Sequence, residues 1–152
     1  MTAHAGLEKS RESLLALLAD TSRQVDILSP QLESALLDND ALCEHLTRLA
    51  RRGRYTRIRV LVTEIKPLIE TGHRLIALAR RLKTAMEVRT LEYHPEWNGE
   101  TVVLLDRSTG LRLKARDKQS RVIDSRAEAQ RLAEQFDRLW LASHPTPELR
   151  HI

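Results

Sequence analysis

Four side chains able to hydrogen-bond or move a proton close short apolar runs in this chain. Ser29 follows Val25-Asp26-Ile27-Leu28, Thr63 and Glu64 follow Ile58-Arg59-Val60-Leu61-Val62, and Asp106 follows Val102-Val103-Leu104-Leu105. Strand ends of an α/β sheet are where ligands and reacting groups usually lie, so Ser29, Thr63, Glu64 and Asp106 are candidates for one crevice. Asp106 has a second reading beside that one. It opens the stretch Asp-Arg-Ser-Thr-Gly, and an aspartate suits the start of a turn.

Six histidines and one cysteine are the other reactive groups. Cys43 and His45 stand two apart in a helical pattern and so point in different directions. His73 and His94 have no ligand partner at a metal-motif spacing. Structural or surface roles are expected for all of them, with no metal site and no cofactor. A single cysteine forms no internal disulfide. The start Met1-Thr2-Ala3-His4-Ala5-Gly6 lacks a basic segment followed by an apolar one, and no apolar run approaches the ~18 residues of a membrane span. These features lead to the expectation of a cytoplasmic protein without a membrane span.

The charge is carried by arginine. The 152 residues hold 20 Arg against 5 Lys, with a net charge of +4. Arginine is the better residue for forked contacts to carboxylate or phosphate. Two clusters stand out. Arg48, Arg51, Arg52, Arg54, Arg57 and Arg59 have no acid between them, and Arg107, Arg112, Lys114, Arg116, Lys118 and Arg121 are interrupted only by Asp117. On a hairpin strand, Arg112, Lys114 and Arg116 would share one face. Such a row could follow a phosphate backbone, which makes Arg52, Arg54, Arg112, Lys114 and Arg116 the candidate phosphate or nucleic-acid contacts. A solvated basic face, or an edge strand guarded by charge, explains the row as well. Aromatics are 3% of the chain, so no stacking platform for single strands is evident.

The elements that must position these groups follow from period and punctuation. A helix is expected over Leu7–Asp20, with Leu7, Leu14, Leu15, Leu17 and Leu18 on one face. A strand over Gln24–Leu28 stops at Ser29-Pro30, and the segment from Gln31 to Leu37 is a helical turn or a loop. Asn39 or Asp40 caps a helix that carries Arg51-Arg52 in its last turn and ends at Gly53. The strand Arg57–Thr63 follows, then a helix from Pro67 to about Lys83 that Gly72 weakens, with His73 onward as its firm part. Strands are expected over Glu87–Leu91 and Thr101–Asp106. A turn at Ser108-Thr109-Gly110 leads into strands over Leu111–Ala115 and Arg121–Ile123. Ser125 and Glu128 form a capping box for the last helix, whose inner stripe is Leu132, Ala133, Phe136, Leu139 and Trp140. The alternation implies one α/β domain with a mixed, mainly parallel sheet and helices on both faces. It divides into an N-terminal helix packing on the domain (1–22), the α/β domain proper (23–143) and a C-terminal tail (144–152).

With that order in hand, the chain resembles one half of the phospholipase D superfamily fold. Val25-Asp26-Ile27-Leu28-Ser29-Pro30 is similar to the family's first strand and loop. Leu49-Ala50-Arg51-Arg52-Gly53 with Ile58-Arg59-Val60-Leu61-Val62 is similar to its helix, Arg-Gly turn and second strand. Val102-Val103-Leu104-Leu105-Asp106 resembles the strand that ends the catalytic motif, and Phe136-Asp137-Arg138-Leu139-Trp140 resembles the closing helix. The likeness spans residues 24–143.

The family's motif is His, any residue, Lys, four residues, Asp. The His takes the phosphoryl group and the Lys holds phosphate oxygens. Asp106 set on the motif's Asp puts Thr101 at the Lys position and Gly99 at the His position. Neither replaces an imidazole nucleophile. The resemblance therefore implies a phospholipase D-like half with a degenerate motif, no catalytic residue of the family's kind, and no phosphodiesterase activity. It implies a binding or scaffold domain for a phosphate-bearing ligand or a protein partner. Active members join two motifs, which implies a homodimer through that face. A degenerate domain of this kind is appended to some bacterial GNAT-type acetyltransferases, which points to an acetyltransferase-linked protein partner. The chain has no Gly-rich acetyl-CoA loop of its own. Two rivals stand beside this reading: a nucleic-acid binder using the arginine clusters, and a hydrolase with chemistry moved to Asp106, Glu64 or His94.

Overall fold

Arg57–Val62 is β-branched or aliphatic at every second position, and it forms strand β2 at the middle of the sheet. In the computed structural model, which describes residues 3–116 and 119–149 (side chains from Leu7 onward), only Arg57 of this strand is exposed. The elements run α1 (Ala3–Leu18), β1 (Gln24–Leu28), α2 (Ser34–Leu37), α3 (Asp40–Arg51), β2, α4 (Lys66–Glu70), α5 (Arg74–Arg81) and β3 (Met86–Thr90). They continue with β4 (Thr101–Leu105), β5 (Thr109–Leu113), β6 (Ser120–Ile123), α6 (Arg126–Ala142), β7 (His144–Pro145) and a 3-10 turn at Pro147–Leu149.

These strands form one sheet in the order β6-β5-β4-β1-β2-β3-β7. The expected mixed α/β sheet is present, but parallel pairing is confined to β1, β2 and β3. Every other pair is antiparallel. The helix-bearing crossovers between parallel neighbours end at β3, and the short connections that follow join β4, β5 and β6 as antiparallel neighbours. One face carries Val25, Ile27, Ile58, Val60, Val62, Met86, Val88, Val103 and Leu105, covered by α1, α3 and α5. The other carries Leu28, Leu61, Leu91, Val102 and Leu104, covered by α6 through Leu132, Ala133, Phe136, Leu139 and Trp140. Leu7, Leu14 and Leu18 of α1 sit within the first core.

Several local expectations shift for physical reasons. The segment from Gln31 to Leu37 ends in a single helical turn. Asn39 is the cap of α3, its side chain accepting from the Leu42 amide at 2.8 Å. The helix expected from Pro67 to Lys83 is two helices. Gly72 takes φ +69 between them, a conformation glycine adopts at little cost, and His73 caps the second by accepting from the Leu75 amide. The hairpin turn lies earlier than the glycine suggested. Asp106 and Arg107 both have positive φ (53° and 57°), the pair of signs a tight type I′ hairpin turn requires. Gly110 is instead a strand residue, because a Cβ there would stand 1.8 Å from the Val103 carbonyl oxygen. The capping box at α6 is half-formed. Ser125 accepts from the Glu128 amide, but the Glu128 carboxylate turns away to Arg112 and Arg121. The C-terminal tail, as far as Leu149, is docked. His144–Pro145 pairs with β3, and Thr146 Oγ1 donates to the Val88 carbonyl at 2.7 Å. Asp117 and Lys118, and the tail beyond Leu149, lie outside the described residues.

Between the sheet and α6 lies a charged centre. Asp26 and Arg59 are directly opposite on β1 and β2 and are 0% and 6% exposed. Arg59 Nε donates to Asp26 at 2.7 Å and its Nη2 to Asp137 of α6 at 2.9 Å. Asp137 also takes two bonds from Arg107 in the hairpin turn, at 3.1 and 2.9 Å. The Arg59 guanidinium lies over the Phe136 and Trp140 rings, 4.8 and 5.4 Å from their centroids. Burial works to lower the Arg59 pKa, and the bonds to Asp26 and Asp137 outweigh it, so the pKa ends raised. A second network links the far strands to α6. Arg112 holds Glu100 by two bonds of 2.8 Å and Glu128 at 2.7 Å, and Arg121 joins it on Glu128.

Removing one member of a buried pair leaves an uncompensated charge. Asp26→Ala should therefore cost roughly 3–5 kcal/mol in denaturant unfolding. The double variant Asp26→Leu, Arg59→Met should recover most of that loss, because apolar groups can replace a buried pair outright. The hydrogen bonds from Arg121, helped by Arg112 and opposed by desolvation, hold the Glu128 carboxyl at about 2, below its ordinary 4.5. Its folded pKa is the lower one, so its contribution is complete above 4.5 and is lost as pH falls from there toward 2. Acid titration followed by circular dichroism should show Arg121→Ala unfolding at higher pH than the parent; unchanged midpoints would contradict this.

Candidate functional site

Because β4 runs antiparallel to β1, the start of β4 lies beside the end of β1. That register brings Ser29 and Thr101 together, with Ser29 Oγ and Thr101 Oγ1 2.8 Å apart. Around them opens a cleft of about 370 Å³ lined by Ser29, Gln31, Glu33, Ser34, Gly99 and Thr101, with Pro30 and Ala115 completing the wall. Ser29 and Thr101 are buried, at 1% and 6% exposure. Ser29 Oγ also accepts from the Glu33 amide at 3.3 Å, which fixes the loop after β1.

This cleft contains Gly99 and Thr101, the two residues that the resemblance sets at the motif's His and Lys positions. Gly99 has φ +88, a backbone that a histidine would adopt only with strain. Thr101 has its hydroxyl committed to Ser29. Among the described residues, no lysine, arginine or histidine lines the cleft, and Glu33 does. Lys114 and Arg116 flank Ala115 in the chain and are exposed, so positive charge is available at the rim and not in the cleft. The site offers hydroxyls and backbone groups, which can hold a polar ligand but supply no nucleophile of the imidazole kind.

Of the four predicted crevice residues, the structure brings Ser29 into the cleft and leaves Thr63 beside it. Thr63 donates from its amide and its hydroxyl to the Pro30 carbonyl, at 3.0 and 2.8 Å. Glu64 is exposed and outside the lining. Asp106 is at the opposite end of the sheet, and the four do not share one crevice. The reason is the direction of β4: its last residue, Leu105, pairs with Val25 at the start of β1. Asp106 there accepts from the amides of Ser22, Arg23 and Gln24 at 2.9, 2.8 and 2.9 Å. Burial works to raise its pKa, but those amide bonds prevail and it stays below the usual aspartate range. The carboxylate ties the hairpin turn to the entry of β1.

The reactive groups named from the sequence have structural partners. His73 is buried, with Nε2 2.9 Å from the Leu32 carbonyl. His94 accepts from the Glu96 amide. Cys43 is buried on α3, and burial pushes its thiol pKa up. Among the described residues, no three of His, Cys, Asp and Glu gather as a metal site. Neither Asp106, Glu64 nor His94 converges with the others on the cleft.

The arginine clusters separate into paired and unpaired members. Arg59 is buried in the charged centre and leaves the surface cluster. Arg112 is half-buried on Glu100 and Glu128. Lys114 and Arg116 fall after β5 ends at Leu113, so the hairpin row does not continue along one strand face. Arg52 and Arg54 are exposed and have no carboxylate partner among the described residues. Sequence reasoning missed Glu33 and Ser34, which the turn at α2 brings to the cleft. It also missed the pairing of Asp26 with Arg59, although a lone acid and a lone base inside two apolar strands are visible signals.

Comparison with known proteins gives the fold a context. No curated protein matches the chain by sequence. NucT from Helicobacter pylori superposes with a TM-score of 0.67 at 9% identity, covering 93% of this chain and 94% of that one. Nuc from Salmonella typhimurium, a phospholipase D family member, gives 0.62 at 16% identity over 90% of each chain. TrmBL2, an archaeal chromatin protein with a novel mode of DNA binding, gives 0.66 at 13% identity. The match covers 93% of this chain and 52% of TrmBL2, so this chain spans about half that protein's length. At such identities the likeness is one of fold, and the fold is phospholipase D-like. No helix among the described residues is long and apolar enough to cross a membrane. Residues 6–152 match the model of a domain of unknown function, DUF7931, and the chain belongs to that family.

Proposed function

We propose that this phospholipase D-like domain works by binding and performs no phosphodiester hydrolysis. One observation carries the reading. The resemblance sets the motif's His and Lys positions at Gly99 and Thr101, and they line a cleft in which Thr101 is bonded to Ser29 and no cation stands among the described lining residues. A phosphoryl-transfer site needs a nucleophile and preorganised positive charge on the transferring group. This cleft holds a polar or phosphate-bearing ligand, or a protein segment, through Ser29, the Thr101 region and the Glu33–Ser34 turn, with Lys114 and Arg116 at the rim.

A second reading, nucleic-acid binding, is favoured by the exposed arginines after α3, which have no acid partner among the described residues. The fold shared with a DNA-binding chromatin protein is consistent with it.

The purified protein should show no turnover of bis(p-nitrophenyl) phosphate or of a labelled oligonucleotide. Turnover abolished by Thr101→Ala or Asp106→Ala would overturn the binding reading. A homodimer across the cleft face belongs to the same reading. Sedimentation equilibrium should then show association that Ser34→Arg weakens, and a strict monomer at high micromolar concentration would remove it.

A further inference from the structure

A group of cations without a carboxylate partner among the described residues gathers at one edge of the molecule. Arg57 opens β2, Arg23 precedes β1, and Lys83 precedes β3. The three strand entries are tied together: the Arg57 amide donates to the Arg23 carbonyl at 2.9 Å, and the Ile58 amide to the Ala85 carbonyl at 2.8 Å. Helices α3 and α5 pack side by side. Each runs back from the far end of the sheet, so their C-termini deliver Arg48, Arg51, Arg52, Arg80 and Arg81 to the same edge. Arg54 stands in the connecting turn.

None of these cations has a carboxylate within ion-pair distance among the described residues. Arg74, Arg89, Arg107, Arg112, Arg121 and Arg138, elsewhere on the surface, all do. Two of the acids near the edge are engaged. Asp106 is spent on three backbone amides, and Glu87 is bonded to Arg89. Arg80 Nε is buried without a hydrogen-bond partner.

Two apolar features accompany the charge. Tyr55 is 82% exposed at the tip of the turn, with the Arg54 guanidinium 5.3 Å from its ring centroid. Beside the turn lies a cleft of about 440 Å³, walled by Arg57, Lys83 and Glu87 and floored by Ile58, Met86 and Leu149. An exposed aromatic among unpaired arginines, next to an apolar-floored groove, matches a chain of phosphates whose bases are free to stack. A duplex keeps its bases stacked and would use the arginines alone.

We infer that the strand-entry edge, built from Arg51, Arg52, Arg54, Tyr55, Arg57 and Lys83, is a binding surface for single-stranded nucleic acid. The inference rests on the nucleic-acid reading above and gives it a place and a strand preference. It is on the sheet end opposite the Ser29–Thr101 cleft and is independent of what that cleft does.

The test is fluorescence anisotropy with labelled oligo-dT, oligo-U and a mixed-sequence duplex, using the full chain. The expected result is tighter binding to at least one single strand than to the duplex, falling steeply between ~50 mM and ~200 mM salt. Tyr55→Ala should weaken single-strand binding about tenfold, and Tyr55→Phe should not. Each of Arg52→Ala and Arg54→Ala should lower the log–log salt slope by about 0.7. These side chains are exposed, and unchanged thermal unfolding confirms the variants fold. No binding to any probe overturns both readings. Equal affinity for the duplex, or Tyr55→Ala at parental affinity, overturns this inference alone. So does binding that responds to Lys114→Ala and Arg116→Ala while Arg52→Ala and Arg54→Ala leave it unchanged.

Discussion

The structure depends on one buried ion pair, Arg59 with Asp26, at the centre of the sheet. Both residues stand inside largely buried strands, and both point at the same face. A guanidinium there is expensive to bury, and its return is greatest when geometry and hydrogen bonding are complete. They are nearly so here. Arg59 is bonded to Asp26 and Asp137 and lies over two aromatic rings. The aromatic faces suit a planar, weakly hydrated cation better than an ammonium. Phe136 and Trp140 themselves stack with centroids 5.9 Å apart, and Arg89 covers the outer ring at 4.5 Å.

From that pair the constraint spreads along α6 and into the hairpin. Asp137 must sit over Arg59, so α6 is fixed in rotation as well as in depth. The same carboxylate holds Arg107 in a left-handed conformation that costs a non-glycine residue roughly 1–2 kcal/mol. Arg107 in turn sets Asp106, whose carboxylate closes on the amides at the start of β1. Asp106 thus has a structural task at one end of β4. At the other end stand Gly99 and Thr101, which line the cleft. The two ends of one strand carry different surroundings, a turn-fixing carboxylate at one and a hydroxyl-lined cleft at the other.

Much of this was legible in the sequence, and the exceptions share a cause. β1, β2 and α6 were readable because their apolar periods are strong and their stops are marked by Ser29-Pro30, Gly53 and Ser125. The resemblance to the phospholipase D fold was carried by the order of those pieces. The crevice was misread because the direction of β4 is not written in its residues: Val102–Leu105 is apolar whichever way it runs. The hairpin turn was misplaced because Gly110 marks a close backbone approach to Val103 and not a turn. The row Arg112, Lys114, Arg116 was broken by Glu100 and Glu128, acids whose nearness depends on tertiary packing. The strand-entry edge was half-visible as an acid-free cluster. Tyr55 was hidden within a low aromatic content, although one exposed ring suffices for a stacking contact.

The molecule separates its charges by task. Arg59, Arg107, Arg112, Arg121 and Arg138 are matched to carboxylates on and around α6 and hold the fold. Arginines at the strand-entry edge are unmatched and are left for a partner. The cleft at the other end is lined by hydroxyls, with no cation in its lining among the described residues. The most direct measurement of this division is hydrogen–deuterium exchange of the full chain with and without a single-stranded oligonucleotide. The account predicts slowed exchange over residues 51–57 and 83–86, with residues 29–34 and 99–101 unchanged. Protection confined to residues 29–34 and 99–101 would contradict it.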